Sequence, residues 1–203
     1  MLAKPLVGIL ALQGDFLSHC TMLKTLGVAV TLVKEPYQLQ SINGLIIPGG
    51  ESTAIIKQIL QNTNWQLGFA RIKEIQMPIF GTCAGLILLS KIVEPAQFSL
   101  GWLDISVLRN GYGRQINSHV IYADFILANQ IHHIAMPLIR APRIIKIGPQ
   151  VTSLINKDNE IYLVEQENLL AATFHPEITE QTYIHQYFLQ KIKSFILIRD
   201  GKM

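Results

Sequence analysis

The stretch from residue 78 to residue 89 restricts what this chain can fold into more than any other. It is an apolar run interrupted by Cys83, with a glycine two positions to either side, at Gly81 and Gly85. This pattern predicts a strand, a sharp turn and a helix, because small residues relieve the crowding at a turn that exposes one side chain. A buried and inert cysteine beside two turn glycines is the alternative interpretation, since cysteine is among the most buried residue types.

If the turn exposes Cys83, its thiol is a candidate nucleophile at the N-terminus of a helix over residues 84–89. Free backbone N–H groups there favour a thiolate and can also hold an oxyanion. Such a nucleophile needs an imidazole to move a proton and an acceptor to orient that imidazole. The tripeptide His175-Pro176-Glu177 offers both, because extended backbone would place His175 and Glu177 on one face.

The first half of the chain alternates between strand and helix patterns. Apolar or β-branched runs predict strands at residues 6–12, 28–33, 44–47 and 78–80, and helices at residues 15–26, 53–61 and 66–75. This alternation predicts an α/β fold with an open, doubly wound sheet, mixed but mainly parallel, and flanking helices. Functional groups then gather at the carboxyl ends of the strands. Gly49 and Gly50 follow one strand and can present backbone N–H groups, although a plain turn capped by Ser52 is the alternative.

The second half has a different pattern, with short β-rich runs and turn residues between them. Strands are predicted at residues 103–108, 120–126, 144–147, 151–155, 160–165 and 169–174. We expect them to join the same sheet as antiparallel strands, since no linker divides the chain, so that residues 1–203 form a single domain. A last helix over residues 179–199 has one apolar stripe, which predicts that it covers a face of the sheet without taking part in chemistry.

Composition limits the expected partners and compartment. The formal charge of +3 contains no basic block, so nucleic acid is not an expected partner, and no apolar run reaches the length of about 18 residues that a membrane span needs. Only 15% of residues are charged, against roughly 25% in typical soluble proteins, which suggests that a partner subunit covers part of the surface. The two cysteines, Cys20 and Cys83, lie far apart, which favours a reducing cytoplasmic location over a disulfide framework. The histidines lack zinc-ligand spacing, so no metal is expected.

Six motifs stand in one order along the chain, and the first three and the last of them resemble the class I, or triad, glutamine amidotransferases. They are Leu-Gln-Gly at 12–14, Pro-Gly-Gly-Glu-Ser at 48–52, Gly-Thr-Cys-Ala-Gly at 81–85, Arg-Asn-Gly-Tyr-Gly-Arg-Gln at 109–115, Arg-Ala-Pro at 140–142 and Phe-His-Pro-Glu at 174–177. The motifs at 109–115 and 140–142 are similar, more narrowly, to those in the glutaminase subunit of the two-subunit pyridoxal 5′-phosphate synthase.

This resemblance implies a role for each site residue. Cys83 would attack the side-chain amide of L-glutamine, and His175, oriented by Glu177, would protonate the departing ammonia. The backbone N–H groups of Gly50 and Ala84 would form the oxyanion hole. The implied glutamine-binding residues are Gly50, Glu51, Ser52, Arg109, Ile139 and Arg140, a set in which arginine suits a carboxylate.

The resemblance also implies a partner and a form of control. Ammonia would pass to a separate synthase subunit in a hetero-oligomer, and this chain would bind no cofactor. Docking of that subunit would activate glutamine hydrolysis through the Gly49-Gly50 peptide, with Gln13 as the relay. Two stretches depart from the family pattern: Ser18 stands where relatives often carry Glu, and Asn-Ser-His-Val at 117–120 stands where they often carry Asp-Ser-Phe-Glu.

Two other functions fit parts of the pattern. A glutaminase that serves another synthase, such as that of histidine biosynthesis, would share the elbow and the triad, although the motifs at 109–115 and 140–142 argue against it. A non-catalytic regulatory subunit could keep the fold alone. The presence of Cys83, His175 and Glu177 argues against that second alternative.

Overall fold

The computed structural model describes residues 5–112 and 119–202. The helices are α1 (Phe16–Thr25), α2 (Ser52–Gln61), α3 (Thr63–Glu74), α4 (Ala84–Leu89) and α5 (Tyr183–Arg199), and two 3-10 helices cover Pro36–Gln40 and Pro176–Ile178. The strands are β1 (Leu6–Leu10), β2 (Ala29–Val33), β3 (Gly44–Ile47), β4 (Ile79–Thr82), β5 (Ser90–Glu94), β6 (Leu103–Leu108), β7 (His119–Leu127), β8 (Gln130–Leu138), β9 (Arg143–Ile147), β10 (Thr152–Lys157), β11 (Glu160–Gln166) and β12 (Leu169–Ala172). Among these helices, none combines the length and the apolar character needed to cross a membrane.

Ten of the strands form one open sheet in the order β2-β1-β3-β4-β12-β11-β9-β6-β5, with β10 paired to β11. The five strands from β2 to β12 are parallel to one another. Beyond them β11, β9 and β6 pair in antiparallel fashion, and β5 is parallel to β6. The predicted open, mixed and mainly parallel sheet with flanking helices is therefore confirmed.

The parallel strands β1, β3 and β4 are mostly apolar and buried, as is usual for a parallel sheet with helices on its faces. All four residues of β3 are buried, and α5 lies directly on this strand. A Cβ atom added to Gly44 of β3 would contact Ile192 and Phe188 of α5, so the helix and strand approach closely. Helix α1 ends just before Gly27, whose φ of 70° turns the chain back towards β2. This packing fixes the ends of β3, β4 and β12 side by side.

The strands β7 and β8 form a separate two-stranded antiparallel sheet instead of joining the large one. The expectation that every strand of the second half joins a single sheet is thus wrong. In β7 the side chains alternate, so that Ala123, Phe125 and Leu127 are buried while Tyr122 and Ile126 are exposed. The two strands pair with each other, and the buried face of the hairpin packs on the core without hydrogen bonds to the large sheet.

Two strands lie where none was expected. The sequence predicts no strand at β5 and none at β8, which contains His132 and His133. His119 likewise lies at the start of β7. Lys91 and Glu94 in β5, and the histidines and Pro137 in β8, interrupt the apolar alternation on which strand prediction depends.

Candidate active site

The turn between β4 and α4 places Cys83 at the carboxyl end of the parallel sheet. Cys83 has φ 47° and ψ −99°, a conformation that costs a residue with a side chain about 1–3 kcal/mol. A Cβ atom on Gly81 would collide with the backbone of Gly85, and one on Gly85 would collide with the carbonyl of Ile47. The spacing of the two glycines therefore reflects a steric requirement of this turn, as the sequence predicted.

The strand β12 lies beside β4 and carries the imidazole to the cysteine. The Cys83 N–H donates to the Ala172 carbonyl at 2.9 Å, and His175 follows three residues later. The His175 N–H donates to the Pro137 carbonyl of β8 at 3.0 Å, so the separate hairpin fixes the backbone of this residue.

The side chains of His175 and Glu177 pair as predicted, but the backbone differs from the prediction. His175 Nδ1 lies 2.8 Å from Glu177 Oε1, with side-chain exposures of 10% and 0%. The extended backbone expected at residues 175–177 is wrong, since Pro176–Ile178 is a 3-10 helix. Proline fits the first position of such a helix, where its missing N–H leaves no bond unmade. The tight turn folds Glu177 back towards the imidazole ring.

The surroundings of His175 and Glu177 favour their charged forms. Burial by itself would lower the pKa of His175, but its hydrogen bonds with Cys83 and Glu177 outweigh burial and raise the pKa to about 10. Burial would raise the pKa of Glu177, but the hydrogen bond from His175 and the attraction of its imidazolium lower it. A thiol, an imidazole and a carboxylate in this order can supply a nucleophile and a proton donor.

The loop that carries Gly49 and Gly50 connects β3 to α2, and both the N–H and the carbonyl group of Gly49 are hydrogen-bonded. The Gly49 N–H donates to Thr82 Oγ1 at 3.0 Å, and the Gly49 carbonyl accepts from the Asp15 N–H at 3.1 Å. A Cβ atom on Gly49 would contact His175 and Cys83. This loop therefore lies directly against the reactive pair.

Gln13 joins the same loop from the end of β1. Its Oε1 atom accepts from the Glu51 N–H at 2.5 Å. A Cβ atom on Gly50 would contact Gln13 Oε1 and the Gly14 backbone, and Gly14 itself has a φ of 103°. The side chain of Glu51, not that of Ser52, caps α2 by accepting from the Thr53 N–H at 3.4 Å. The alternative of a plain turn capped by Ser52 is not what the structure shows.

A cavity of about 940 Å³ opens over Cys83. Nine of the eleven residues predicted for the site line this cavity: Gln13, Gly50, Glu51, Ser52, Cys83, Arg109, Ile139, Arg140 and His175. Ile87 and Asn110, which were not predicted to take part in the chemistry, complete the lining. Of the other two predicted residues, Glu177 is paired to His175 and Ala84 is the first residue of α4. Sequence motifs that are far apart along the chain thus meet in one cavity.

Charged groups of both signs lie in this cavity. Arg109 Nη2 is 4.0 Å from Glu51 Oε1, with side-chain exposures of 22% and 51%. Arg140 adopts a φ of 48° in the turn after β8. The carbonyl oxygen of the preceding Ile139 lies 3.9 Å from Cys83 Sγ. Guanidinium and carboxylate groups beside one cavity suit a ligand that carries both a carboxylate and an ammonium group.

Some predicted features lie outside the described residues. These are residues 113–115 of the arginine-rich motif and residues 117 and 118 of the stretch that departs from the family pattern. Within residues 5–112 and 119–202, no three His, Cys, Asp or Glu side chains are grouped in a way that could hold a metal ion.

Sequence reasoning missed three buried polar residues behind the triad. His19, Thr82 and His185 are all fully buried, and His19 lies between the other two. His19 and His185 had been assigned only to helices, and α5 had been assigned no chemical role. No local pattern could have paired them, because 166 positions separate the two histidines along the chain.

Comparisons with known proteins agree with this geometry. A family model described as the SNO glutamine amidotransferase family matches residues 9–194. The chain is 45% identical to pyridoxal 5′-phosphate synthase subunit PdxT of Koribacter versatilis over 93% of this chain and 96% of that one. It is 43% identical to the subunit of the same name from Thermosipho africanus, over 92% of this chain and 98% of that one.

Solved structures show the same fold. A structure described as a glutamine amidotransferase superposes with a TM-score of 0.85 at 37% identity, and the match covers 92% of this chain and 98% of that one. The structure of PurLQS from Thermotoga maritima gives a TM-score of 0.63 at 19% identity over 97% of this chain and 99% of that one, which is a likeness of fold alone. On the family match and the identity to these relatives, the chain belongs to the SNO glutamine amidotransferase family.

Proposed function

We propose that this protein is the glutaminase subunit of a pyridoxal 5′-phosphate synthase and that Cys83, His175 and Glu177 are its catalytic triad. The observation that carries the proposal is the buried pair between His175 Nδ1 and Glu177 Oε1 at 2.8 Å, beside the strained turn at Cys83. Membership of a glutamine amidotransferase family supplies the substrate class.

The chemistry proceeds in two balanced steps. The Cys83 thiolate attacks the side-chain amide carbon of L-glutamine, and the backbone N–H groups of Gly50 and Ala84 stabilise the oxyanion that forms. The C–N bond breaks as the His175 imidazolium donates its proton to the departing nitrogen, which leaves ammonia and a thioester. Water then attacks the thioester while His175 takes up a proton, and glutamate and the free thiolate are released. Glu177 keeps the imidazole in the orientation that both steps need.

The cavity residues account for recognition of glutamine. Arg109 and Arg140 suit the α-carboxylate, because a planar guanidinium matches the geometry of a carboxylate. Glu51 lies 4.0 Å from Arg109 and suits the α-ammonium group. Ser52, Gly50 and Ile139 complete the contacts from the loop after β3 and the turn after β8, where they line the cavity.

The partner is a separate synthase subunit that consumes the ammonia. The relatives at 45% and 43% identity are named as subunits of pyridoxal 5′-phosphate synthase, and they match more than nine-tenths of this chain. The low share of charged residues, at 15%, also fits a surface that another subunit covers. The complex works in the cytoplasm, where a reactive thiol such as Cys83 and a second free cysteine, Cys20, stay reduced.

Two measurements test this proposal. Purified chain, with and without the synthase subunit of the same organism, is assayed for ammonia and glutamate formed from L-glutamine. We expect His175→Asn to abolish nearly all turnover and Glu177→Gln to reduce it less, because orienting the imidazole is secondary to proton transfer. Near-normal turnover in a folded His175→Asn variant would contradict the mechanism.

The second measurement concerns the partner. The chain is expected to elute with the untagged synthase subunit on size exclusion. Association with the synthase of another pathway would favour a glutaminase of that pathway. Absence of ammonia release from the wild-type complex would favour a non-catalytic regulatory subunit.

A further inference from the structure

A chain of buried polar side chains continues behind the triad. His19 Nε2 lies 3.5 Å from Glu177 Oε2 and 3.2 Å from Thr82 Oγ1, and His19 Nδ1 lies 3.0 Å from His185 Nε2. His19, Thr82 and His185 are 0% exposed. The second oxygen of Glu177 thus faces a histidine that the mechanism above does not use.

The arrangement of donors and acceptors decides which nitrogen of His19 carries the proton. Within the described part of the chain, Glu177 Oε2 and His185 Nδ1 have no conventional hydrogen-bond partner. If His19 carried its proton on Nδ1, its Nε2 lone pair would face a carboxylate oxygen, and His185 would have to carry an unpaired N–H on Nδ1. If His19 carries its proton on Nε2, that N–H lies 3.2 Å from Thr82 Oγ1 and 3.5 Å from Glu177 Oε2, measured from the nitrogen, and His19 Nδ1 accepts from the His185 Nε2–H. The second arrangement presents an N–H to the carboxylate and leaves no N–H of either imidazole unpaired.

Both histidines stay uncharged in this site. Burial lowers the pKa of His185 to about 3. Burial also lowers the pKa of His19, against the attraction of Glu177 and Asp15 and together with the repulsion of His175. The charged or titratable groups around His19 are Asp15 before α1, His175 and Glu177 at the 3-10 helix, and His185 on α5. Two neutral imidazoles with one proton each therefore form an ordered donor chain that ends on the carboxylate.

We propose that His19 is a positioning residue of the glutaminase site: its Nε2–H fixes the second oxygen of Glu177, and His185 fixes the tautomer of His19 that makes this possible. The inference rests on the proposed function and adds a residue to its machinery. Glu177 is then bound at both oxygens, by His175 on one side and by His19 on the other, which restricts rotation of the carboxylate. A restricted carboxylate keeps the His175 ring aligned with Cys83.

The same histidine also lies next to the support of the glycine loop. Thr82 Oγ1 accepts from the Gly49 N–H at 3.0 Å and lies within hydrogen-bond distance of His19 Nε2. A hydroxyl oxygen has two lone pairs, so Thr82 can accept from Gly49 and share the single His19 Nε2–H with Glu177. His19 therefore contacts the orienting carboxylate of the triad and the residue that anchors the loop proposed to stabilise the oxyanion.

The test compares two substitutions of His19 with a matched substitution of an exposed histidine. His19→Gln retains a side-chain N–H near the position of Nε2, whereas His19→Leu removes the donor and keeps a similar volume. His133→Gln is the control, because His133 is 66% exposed and pairs with Asp124 on the hairpin. All are assayed as the complex with the synthase subunit, after circular dichroism and thermal unfolding have shown that they are folded. His175→Asn is run beside them as the reference for loss of the reaction.

For His19→Leu we expect kcat to fall about 10- to 100-fold, the loss expected for a hydrogen bond to a charged group, with KM changed less than about twofold. The basic limb of the pH profile of kcat/KM should move to lower pH, because a misaligned Glu177 no longer supports the raised pKa of about 10 at His175. His19→Gln should recover most of the activity and the position of the limb. A packing defect alone would lower activity without moving the limb.

Each outcome decides the matter. The inference is overturned if folded His19→Leu keeps the wild-type kcat and pH profile. It is also overturned if both His19 variants lose the same activity and the basic limb does not move. In either case, inactivity of His175→Asn leaves the proposed function intact. Activity of folded His175→Asn overturns the proposed function instead. If His19→Leu does not fold, the ¹⁵N chemical shifts of the His19 ring in the wild-type protein still give its tautomer. A proton on Nδ1 would overturn the inference, and a proton on Nε2 supports it.

Discussion

The loop of Gly49 and Gly50 allows the sharpest test of how a partner controls glutamine hydrolysis. We expect slow hydrolysis by the isolated chain and stimulation when the synthase subunit docks, because the Gly49-Gly50 peptide can turn its N–H towards or away from the oxyanion. We expect Gln13 to act as the relay, since its side chain accepts from the Glu51 N–H at 2.5 Å and lies against Gly50. The perturbations are Gly50→Ala and Gln13→Ala.

The structure predicts different magnitudes for the two variants. A Cβ atom on Gly50 would lie 2.7 Å from the Gly14 Cα atom, which cannot move without breaking the backbone contacts between the two loops. The loop after β3 must shift instead, and loss of an oxyanion donor costs about 10²- to 10³-fold in kcat. Gln13→Ala removes one exposed hydrogen bond, whose net worth of about 0.5–1.5 kcal/mol corresponds to about 2- to 12-fold. In both variants the stimulation by the partner should be much smaller than in the wild type.

Initial rates of glutamate formation, measured with and without a saturating synthase subunit, give these ratios. Gln61→Ala is the matched control for Gln13→Ala, because Gln61 is an exposed residue of α2. Gly101→Ala is the control for Gly50→Ala: its Cβ atom meets open space, and its φ of 68° imposes backbone strain without a change in the loop after β3. Binding of the partner is measured separately, so that loss of stimulation is not confused with loss of docking. Full activity of the isolated wild-type chain, unchanged by a partner shown to bind, would refute the reasoning.

Three further predictions follow from the site. A glutamine-mimicking electrophile should label Cys83 and not Cys20, because only Cys83 contacts an imidazole, and a label on Cys20 with Cys83 untouched in peptide mapping would contradict the elbow. Arg109→Met should raise KM for glutamine about 10-fold or more with a smaller change in kcat, while an unchanged KM would remove Arg109 from carboxylate recognition. The pKa of buried His185 is lowered to about 3, so the unfolded chain binds a proton near pH 6.5 that the folded chain does not, and stability should fall as pH drops from about 6.5 towards 3. In His185→Gln, the free energy of unfolding measured with urea should fall less steeply as pH drops, by the equivalent of about one bound proton. An identical dependence on pH in the variant and the wild type would show that His185 is not the group responsible.

Local sequence patterns could predict the sheet and the elbow because each depends on neighbouring residues. The apolar runs of β1 and β3 indicate strands buried on both faces. Gly81 is required by a contact within the turn, with the backbone of Gly85, whereas Gly85 is required by the carbonyl of Ile47 on the neighbouring strand β3. The separate hairpin could not be predicted in this way, because alternation in β7 indicates one buried face but not what covers it. Periodicity likewise gives no indication that α1 and α5 bring His19 and His185 together.

The 3-10 helix at Pro176 shows a different limit. The pairing of His175 with Glu177 was predicted from an extended backbone, and the pairing is present although the backbone is not extended. A separation of two residues is short enough for more than one local conformation to bring the side chains together. The pairing of the two side chains could therefore be predicted from the sequence, whereas the backbone conformation that produces it could not.

The uncharged state of His19 matters for how the buried carboxylate acts on His175. Glu177 and the imidazolium of His175 are opposite charges with side-chain exposures of 0% and 10%, and their attraction helps to raise the pKa of His175. A cationic group at the position of His19 would also attract Glu177, but it would repel the imidazolium and weaken the proton affinity of His175. A neutral N–H donor orients the second carboxylate oxygen without that repulsion. Complete burial keeps His19 neutral, so the packing of α1 and α5 around it preserves the charge distribution that the proton donor needs.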